Sequence, residues 1–421
     1  MRIKLEELVG AVDRIRVFIP DAKKENSGVL VRLDKANQKA LFAYADGSKA
    51  VCSNTDITIE EELTETTIVL SFKLLSEAVE IMKPLGVVKV DDVEILLDTE
   101  KKVISLSAEN YITTEAEDGS GEPVNEPIAT MARAFAYTTM ETDKRLKILE
   151  CVDYDKMLSI ADAGIDGEDA GIDSWNKKDF TDVMDKVTTE EGQMVIFSGK
   201  NKNVRVSNVA FAVNIPREEV NTSFCVGCKL AKSVVEILKK SSCDDIDIKA
   251  TDVKATVCTS DRKVAVWFDT AKPLSRVINI LKSYGEVAYT KHNIVVLKDA
   301  FTNIIKCIDS DVTNIELSFT GNDVDGFIMN VGGGSNTAKT NKFNVKLADV
   351  QGENAEILGR SFTINSDTVR AIIALCDTPY IGIDVGTTTD GSAWVMRISE
   401  IFKDAGVVQR NIECYSMISM K

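Results

Sequence analysis

The sequence predicts an α+β chain of three repeated domains, each made of two strand-helix-strand units whose helices cover one face of antiparallel sheets. Three observations carry this. Ser71-Phe-Lys-Leu-Leu-Ser-Glu-Ala-Val-Glu-Ile81 returns as Gly227-Cys-Lys-Leu-Ala-Lys-Ser-Val-Val-Glu-Ile237, so both copies read xxKLxxxxVEI. Within each copy the apolar residues fall three to five apart, which gathers them on one face of a helix and leaves Lys and Glu on the other. A weaker third copy, Asn365-Ser-Asp-Thr-Val-Arg-Ala-Ile-Ile-Ala-Leu375, closes the chain, and the unit recurs roughly every 140 to 155 residues. The expected domains are 1–128, 129–275 and 276–421.

Taken in order, Leu5, Leu8, Val9, Val12 and Ile15 mark a first helix over 5–18 that Pro20 ends. Alternation then predicts strands at 28–33, 40–51 and 67–70, the repeat helix, and strands at 90–97 and 103–106. Residues 113–126 are acidic and rich in Gly, Ser and Pro, the composition of a linker or long exposed loop. Tyr154–Ala161 fits a first helix of the second domain. Residues 164–178 are loop-like, and Phe180–Val187 adds a helical segment without a counterpart in the first domain. Strands follow at 194–197 and 204–213 around the polar turn Ser198–Asn203, then the second repeat helix and strands at 246–248, 253–257 and 264–268. The run Lys272-Pro-Leu-Ser-Arg-Val277 crosses into the third domain. That domain has a helix over 296–308, strands at 315–319 and 326–331, the third repeat helix with Asn365 or Ser366 as N-cap, and strands at 380–385 and 393–398.

With 421 residues, a net charge of −16 and 44% hydrophobic residues, the chain suits two or three globular domains with an acidic surface. That balance argues against gripping nucleic acid over the whole surface, but not against a local basic lining. The repeat helix at 227–240 carries Lys229, Lys232, Lys239 and Lys240 against Glu236 and is the most basic element. No apolar run reaches a membrane span and the N-terminus does not resemble a signal peptide, so the expected compartment is the cytoplasm, the host's if the protein is viral. Nine scattered cysteines read as small buried hydrophobes in a reducing compartment. Cys225-Val-Gly-Cys228 lacks the second ligand pair that zinc would want, and no cofactor is called for.

Two glycine-rich stretches need weighing. Ile381-Gly-Ile-Asp-Val-Gly-Thr-Thr-Thr389 looks like the first phosphate loop of the sugar-kinase and Hsp70 ATPases, yet too little chain follows it for that fold; read structurally it is a strand and a Gly/Thr hairpin. Val331-Gly-Gly-Gly-Ser335 lacks the Lys of a P-loop and reads as a flexible hairpin loop. Asp91-Asp92 and Asp244-Asp245 read as solvated turn residues. The sole histidine, His292, leaves acid-base schemes hard to staff, so an enzyme is not expected.

The repeat pattern over nearly the whole chain resembles the bacterial-type DNA polymerase sliding clamp, the processivity factor of replication. Tyr415-Ser-Met-Ile-Ser-Met-Lys421 aligns with the family's terminal Tyr-Val-Val-Met-Pro-Met-Arg, lacking the final Leu and with Ser419 in place of proline. Pro273-Leu-Ser-Arg276-Val277 is similar to the family's Pro-Asp-Tyr-Arg-Arg-Val, one residue shorter. Ser198-Gly199-Lys200 stands where the family has Asp-Gly-His-Arg, a departure, and the extra length at 113–145 and 162–190 points to a phage or otherwise divergent member. The resemblance implies helices lining a central hole and two three-domain subunits closing a homodimeric ring around duplex DNA, bound without sequence preference. It also implies a polymerase and a clamp loader held through short linear peptides. The lining candidates are Arg14, Arg16, Lys73, Lys83, Lys229, Lys232, Lys239, Lys240, Lys298 and Arg370. The pocket candidates are Ser198, Lys200, Pro273, Arg276, Val277, Met417, Ile418, Ser419, Met420 and Lys421. A clamp-like scaffold that never loads on DNA, and the ATPase, stay open as alternatives.

Overall fold

A computed structural model describes residues 1–64, 66–84, 88–115, 123–139, 149, 151–160, 171–187, 194–207, 211–272, 275–289, 293–308, 312–322, 326–334, 340–346, 349–351, 359–404 and 407–420. One motif, a strand running without a loop into a helix and then three strands, occurs six times. The first is β1 (Arg2–Lys4), α1 (Leu5–Phe18), β2 (Gly28–Asp34), β3 (Lys39–Ala45) and β4 (Lys49–Thr58); the second is β5 (Thr67–Ser71), α2 (Phe72–Met82), β6 (Asp92–Asp98), β7 (Val103–Glu115) and β8 (Pro123–Thr138). After a short helix α3 (Tyr154–Ser159) come β9 (Ile172–Asn176), α4 (Lys177–Val187), β10 (Met194–Ser198), β11 (Asn203–Ser207) and β12 (Phe211–Pro216), then β13 (Phe224–Gly227), α5 (Cys228–Lys239), β14 (Asp245–Ala250), β15 (Lys254–Thr259) and β16 (Val264–Asp269). Helix α6 (Ser275–Gly285) and β17 (Ala288–Tyr289) lead to β18 (Asn293–Leu297), α7 (Lys298–Cys307), β19 (Asn314–Asn322), β20 (Gly326–Gly334) and β21 (Thr340–Lys346), with the short β22 (Asp349–Gln351). The last copy is β23 (Ser361–Asn365), α8 (Ser366–Leu375), β24 (Tyr380–Thr387), β25 (Trp394–Asp404) and β26 (Val407–Met420).

The abrupt strand-to-helix step has a local cause. The residue before the helix keeps extended angles, as at Ser71 (φ −63°, ψ 123°) and Asn365 (φ −64°, ψ 133°), whose side chains cap α2 and α8. The first helical N–H, which has no acceptor within its own helix, finds one elsewhere. Leu5 donates to the Asp91 carbonyl at 2.8 Å, Lys177 to Asp244 at 2.7 Å and Lys298 to Pro379 at 2.8 Å, three equivalent bonds in three places; Phe72 donates to Ser27 and Ser366 to Thr313.

By contact the chain forms two compact units, Met1–Met184 with Leu230–Thr270, and Asp185–Lys229 with Ala271–Lys421. In the first, one antiparallel sheet runs β1-β6-β7-β8-β5-β2-β3-β4-β16-β15-β14-β9; α1 and α2 bury Leu5, Leu8, Val12, Ile15, Phe72, Leu75 and Val79 beneath them. Each such side chain contributes about 1.5–3 kcal/mol by leaving water. Part of the opposite face is covered as well. Tyr154, Met157 and Leu158 of α3 and Leu149 cover Leu30, Leu41, Ala43, Cys52 and Ala265, because β3, Lys-Ala-Leu-Phe-Ala-Tyr-Ala, is apolar on both sides. The second unit runs β13-β10-β11-β12-β26-β23-β19-β20-β21, with β18, β24 and β25 joined through β26.

Several sequence readings change. The 40–51 strand is a hairpin that turns at Gly47, where φ is +89°. Residues 113–115 and 123–126 are not linker but paired strand, Glu115 opposite Pro123, and a boundary at 128 would cut β8, which continues to Thr138. Within 164–178, Ile172–Asn176 is β9, and the helix that follows it, α4, rather than α3, is the counterpart of α1. Residues 331–334 are paired strand opposite Phe343 to Thr340, not a loop. The Ile381–Thr389 stretch is β24 and the start of a hairpin, as read structurally. Seven cysteines, Cys225 and Cys228 among them, are buried, and burial pushes the Cys225 thiol up to about 11.

Candidate nucleic-acid and peptide interfaces

The lining candidates fall into three groups. On α5, Lys229, Lys232, Glu236, Lys239 and Lys240 are exposed while Cys228, Ala231, Val234, Val235 and Leu238 are buried. At 100° per residue these exposed positions fall within an arc of roughly 100°, so the cations form one stripe along the helix. Lys240 forms an ion pair with Glu236 at 3.1 Å. On α1 and α2 the cations are shared with acids: Arg16 meets Asp13 at 3.2 Å and Glu80 at 2.9 Å, Lys83 meets Glu80 at 2.9 Å, and Lys73 meets Glu25 at 2.8 Å.

The remaining three hold helix ends and sheets together. Lys298, at the start of α7, donates to the Cys376 carbonyl that ends α8, and Arg370 of α8 donates to the Ile308 carbonyl that ends α7, at 3.1 Å. Lys177, at the start of α4, makes the equivalent bond to the Ser241 carbonyl at 2.8 Å. Arg14 is only 7% exposed and is not on an open face. Its guanidinium donates to Ser53 Oγ at 3.2 and 2.7 Å and to the Lys240 carbonyl at 2.9 Å. Burial lowers its pKa, with Glu7, Asp261 and Asp13 opposing the shift, and a Cβ on Gly10 would come within 3.1 Å of Nη1. Among the described residues of the six motif helices, two exposed cations escaped the sequence reading, Lys178 on α4 and Lys306 on α7. The first sits in a stretch that looks like loop.

The peptide-pocket candidates are only partly brought together. Along β26, Ile412, Cys414, Ser416 and Ile418 face the core, and the alternating positions 413, 415, 417 and 419 face outward. Met417 is 50% exposed and Ile418 only 7%, so Ile418 belongs to the core and Met417 to the surface. Met417 stands opposite Val395, and Tyr415 stacks on Tyr284 of α6 at 5.7 Å. Ile280, Leu281 and Tyr284 thus pack α6 onto Ala212, Val395 and Tyr415, with Met417 at the open end of this apolar strip. Below it, Arg397 is held by Asp384 at 2.9 Å and Glu413 at 3.4 Å, and Tyr415 donates to Glu413 at 2.7 Å. Asp384, the carboxylate of the phosphate-loop reading, is thereby buried in an ion pair within the sheet.

Ser419 pairs with Thr363 and the backbone of Met420 with Phe362. Arg276 and Val277 lie in the first turn of α6, while Pro273 and Lys421 lie outside the described residues. Ser198 and Lys200 are elsewhere. Their turn adjoins Asn203 opposite Pro216, five residues along β12 from Phe211, which is the residue opposite Ser416; that is about 17 Å of strand. The end of β12 that meets the C-terminal strand is the one at Phe211, which stands opposite Ser416. Among the described residues no group of His, Cys, Asp and Glu is arranged to hold a metal ion, and no helix is long and apolar enough to cross a membrane.

Solved structures place this architecture. A DNA polymerase sliding clamp from Pseudomonas aeruginosa superposes with a TM-score of 0.66 over 100% of this chain and 99% of its own at 9% identity. The chain has the DNA sliding-clamp fold. The DNA polymerase III beta subunit of Thermotoga maritima matches with a TM-score of 0.63 at 12% identity, covering 99% and 98%, and the H. pylori beta clamp with 0.66 at 11% over both full chains. No protein-family model and no curated protein matches the sequence. The clamp fold is therefore kept here with little of the sequence that usually accompanies it.

Proposed function

We propose that this chain is a divergent sliding clamp: two copies close a ring around duplex DNA and tether a DNA polymerase through a short peptide. The observation that carries this reading is an unfinished pattern of sheet joints. Strand β4, last of the first motif, pairs with β16, last of the fourth; β12, last of the third, pairs with β26, last of the sixth. With two motifs per domain, each joint links the first half of one domain to the second half of the next. Among the described residues the same rule leaves β21 and β8 without a partner of that kind, and β21 of one copy against β8 of another would complete it. Two such joints related by a two-fold axis give a closed ring of six domains, with the segments carrying α3 and α6 as the links between domains.

Inside such a ring, the α5 lysines and the ion-paired arginines and lysines of the other helices would meet phosphates through weak, sequence-independent contacts, and retention would come from enclosure. Met417, with the aromatic strip behind it, offers a deformable apolar anchor for a partner peptide. The test is topological. Protein loaded on nicked circular DNA is expected to stay bound through gel filtration and to be lost when the circle is cut. Equal retention on circular and linear DNA overturns the reading, as does a monomer that persists at tens of micromolar.

A further inference from the structure

The hairpin of β7 and β8 is longer than its sheet requires. Strand β6 accompanies β7 only as far as Val93 opposite Ala108, with one further bridge from Lys89 to Tyr111. Pairing between β7 and β8 nevertheless continues to Glu115 opposite Pro123. Beyond that bridge, four residues of β7, 112–115, run on as two-stranded ribbon for about 13 Å. Isolated ribbons of this kind are marginal in water. All side chains from Val124 to Thr130 are exposed, including Val124 at 42% and Ile128 at 52%, and among the described residues the outer edge of β8 has no pairing until Tyr137. An open edge flanked by exposed aliphatic side chains invites a partner strand.

Internal repetition locates that partner. Val103 begins β7 and pairs with Ala136; Lys254 begins β15 and pairs with Asp269. Met131–Phe135 of β8 is thus the counterpart of Val264–Phe268, the stretch of β16 that β4 covers. In β16 the chain turns back at this point, whereas in β8 the ribbon carries on beyond the joint. Charge agrees. From Glu109 to Thr130 the sequence has six carboxylates and no Lys or Arg, while β21, the strand expected across the joint, carries Lys342 and Lys346 and no carboxylate.

We propose that the ribbon is an arm that crosses the ring joint and lies along the β21 side of the second copy, adding apolar and charge contacts beyond the pairing of β8 with β21. This rests on the ring reading above. The test is the dimer dissociation constant, measured by mass photometry and sedimentation on the full chain at two salt concentrations. Val124→Ser with Ile128→Ser, and separately Glu109→Lys with Glu126→Lys, are expected to weaken the dimer by about tenfold or more without lowering the melting temperature of the monomer, since all four side chains are exposed. Lys342→Glu with Lys346→Glu is expected to weaken it likewise, and to restore it when combined with the two glutamate reversals. A wild-type dimer whose dissociation constant moves less than twofold in every variant overturns the arm and leaves the ring standing. A wild-type protein that does not dimerise overturns both.

Discussion

Arg14 separates a lining role from a structural one. Replacing it with Met keeps most of the aliphatic volume and removes the guanidinium, leaving the fully buried Ser53 hydroxyl without its donor and the Lys240 carbonyl without one of its partners. Hydrogen bonds from a charged group contribute about 1.5–3 kcal/mol each, and part of that is returned because a buried charge no longer has to be desolvated. A net loss of about 2–3 kcal/mol is expected. In a unit of about 225 residues each kcal/mol is worth about 2–4 °C, so the melting temperature should fall by about 4 to 12 °C. Differential scanning calorimetry reads this directly, with Arg14→Lys as a control that keeps charge but loses the fork. A melting temperature within a degree of wild type, combined with weaker retention on circular DNA, would refute the structural assignment and return Arg14 to the lining.

Changing Lys229, Lys232 and Lys239 to Glu should leave the melting temperature within about 1 °C but lower DNA retention and flatten its salt dependence, by up to about 3 in the log–log slope if each lysine meets one phosphate. At the C-terminus the two neighbours should behave oppositely: Met417→Ala should weaken binding of a clamp-motif peptide by about tenfold or more in fluorescence polarisation with stability unchanged, whereas Ile418→Ala should cost about 2–4 kcal/mol in denaturant unfolding. Gly199→Ala should destabilise by about 1–3 kcal/mol, because its Cβ would sit 2.0 Å from the Asn221 carbonyl oxygen and the turn would have to move; equal urea midpoints would sink that expectation.

The repeat helices were legible because their apolar residues keep helical spacing, and two copies share actual residues. What hid the rest was physical. Strand β9 buries Asp173 and Trp175, at 1% and 2% exposure, and an aspartate at an inward position erases the period-two signal. The stretch 113–126 has the composition of a linker, and the strand character of 113–115 and 123–126 depends on pairing between segments rather than on local preference. Helix α6 has Val277, Ile278, Ile280, Leu281 and Tyr284 at helical spacing, but the preceding Lys-Pro-Leu drew the reading toward a plain crossing. Ser198-Gly199-Lys200 offers a turn glycine like that of the family's motif, but the register puts that turn at the Pro216 end of β12, while Phe211, at the other end, is the residue that stands opposite Ser416.

The acids beside the helix cations bear on how such a ring would slide. Arg16, Lys83 and Arg370 each have a carboxylate on the same helix or its neighbour, and Lys240 has Glu236. Exposed pairs of this kind are worth about 0–1 kcal/mol, so a phosphate can displace the carboxylate at small cost and be displaced again as readily. An unpaired cation would hold its phosphate more tightly and lengthen each pause. In such a ring, pairing would lower the affinity of these four contacts toward that of their own carboxylates and so smooth the path along the duplex while enclosure prevented escape. Converting Glu80 to Gln together with Asp13 to Asn, which removes the carboxylates that pair with Arg16 and Lys83, is expected to slow one-dimensional diffusion on DNA and to raise equilibrium binding to linear duplex at low salt. A diffusion coefficient unchanged in single-molecule tracking would show that the acids neutralise the lining without governing its mobility.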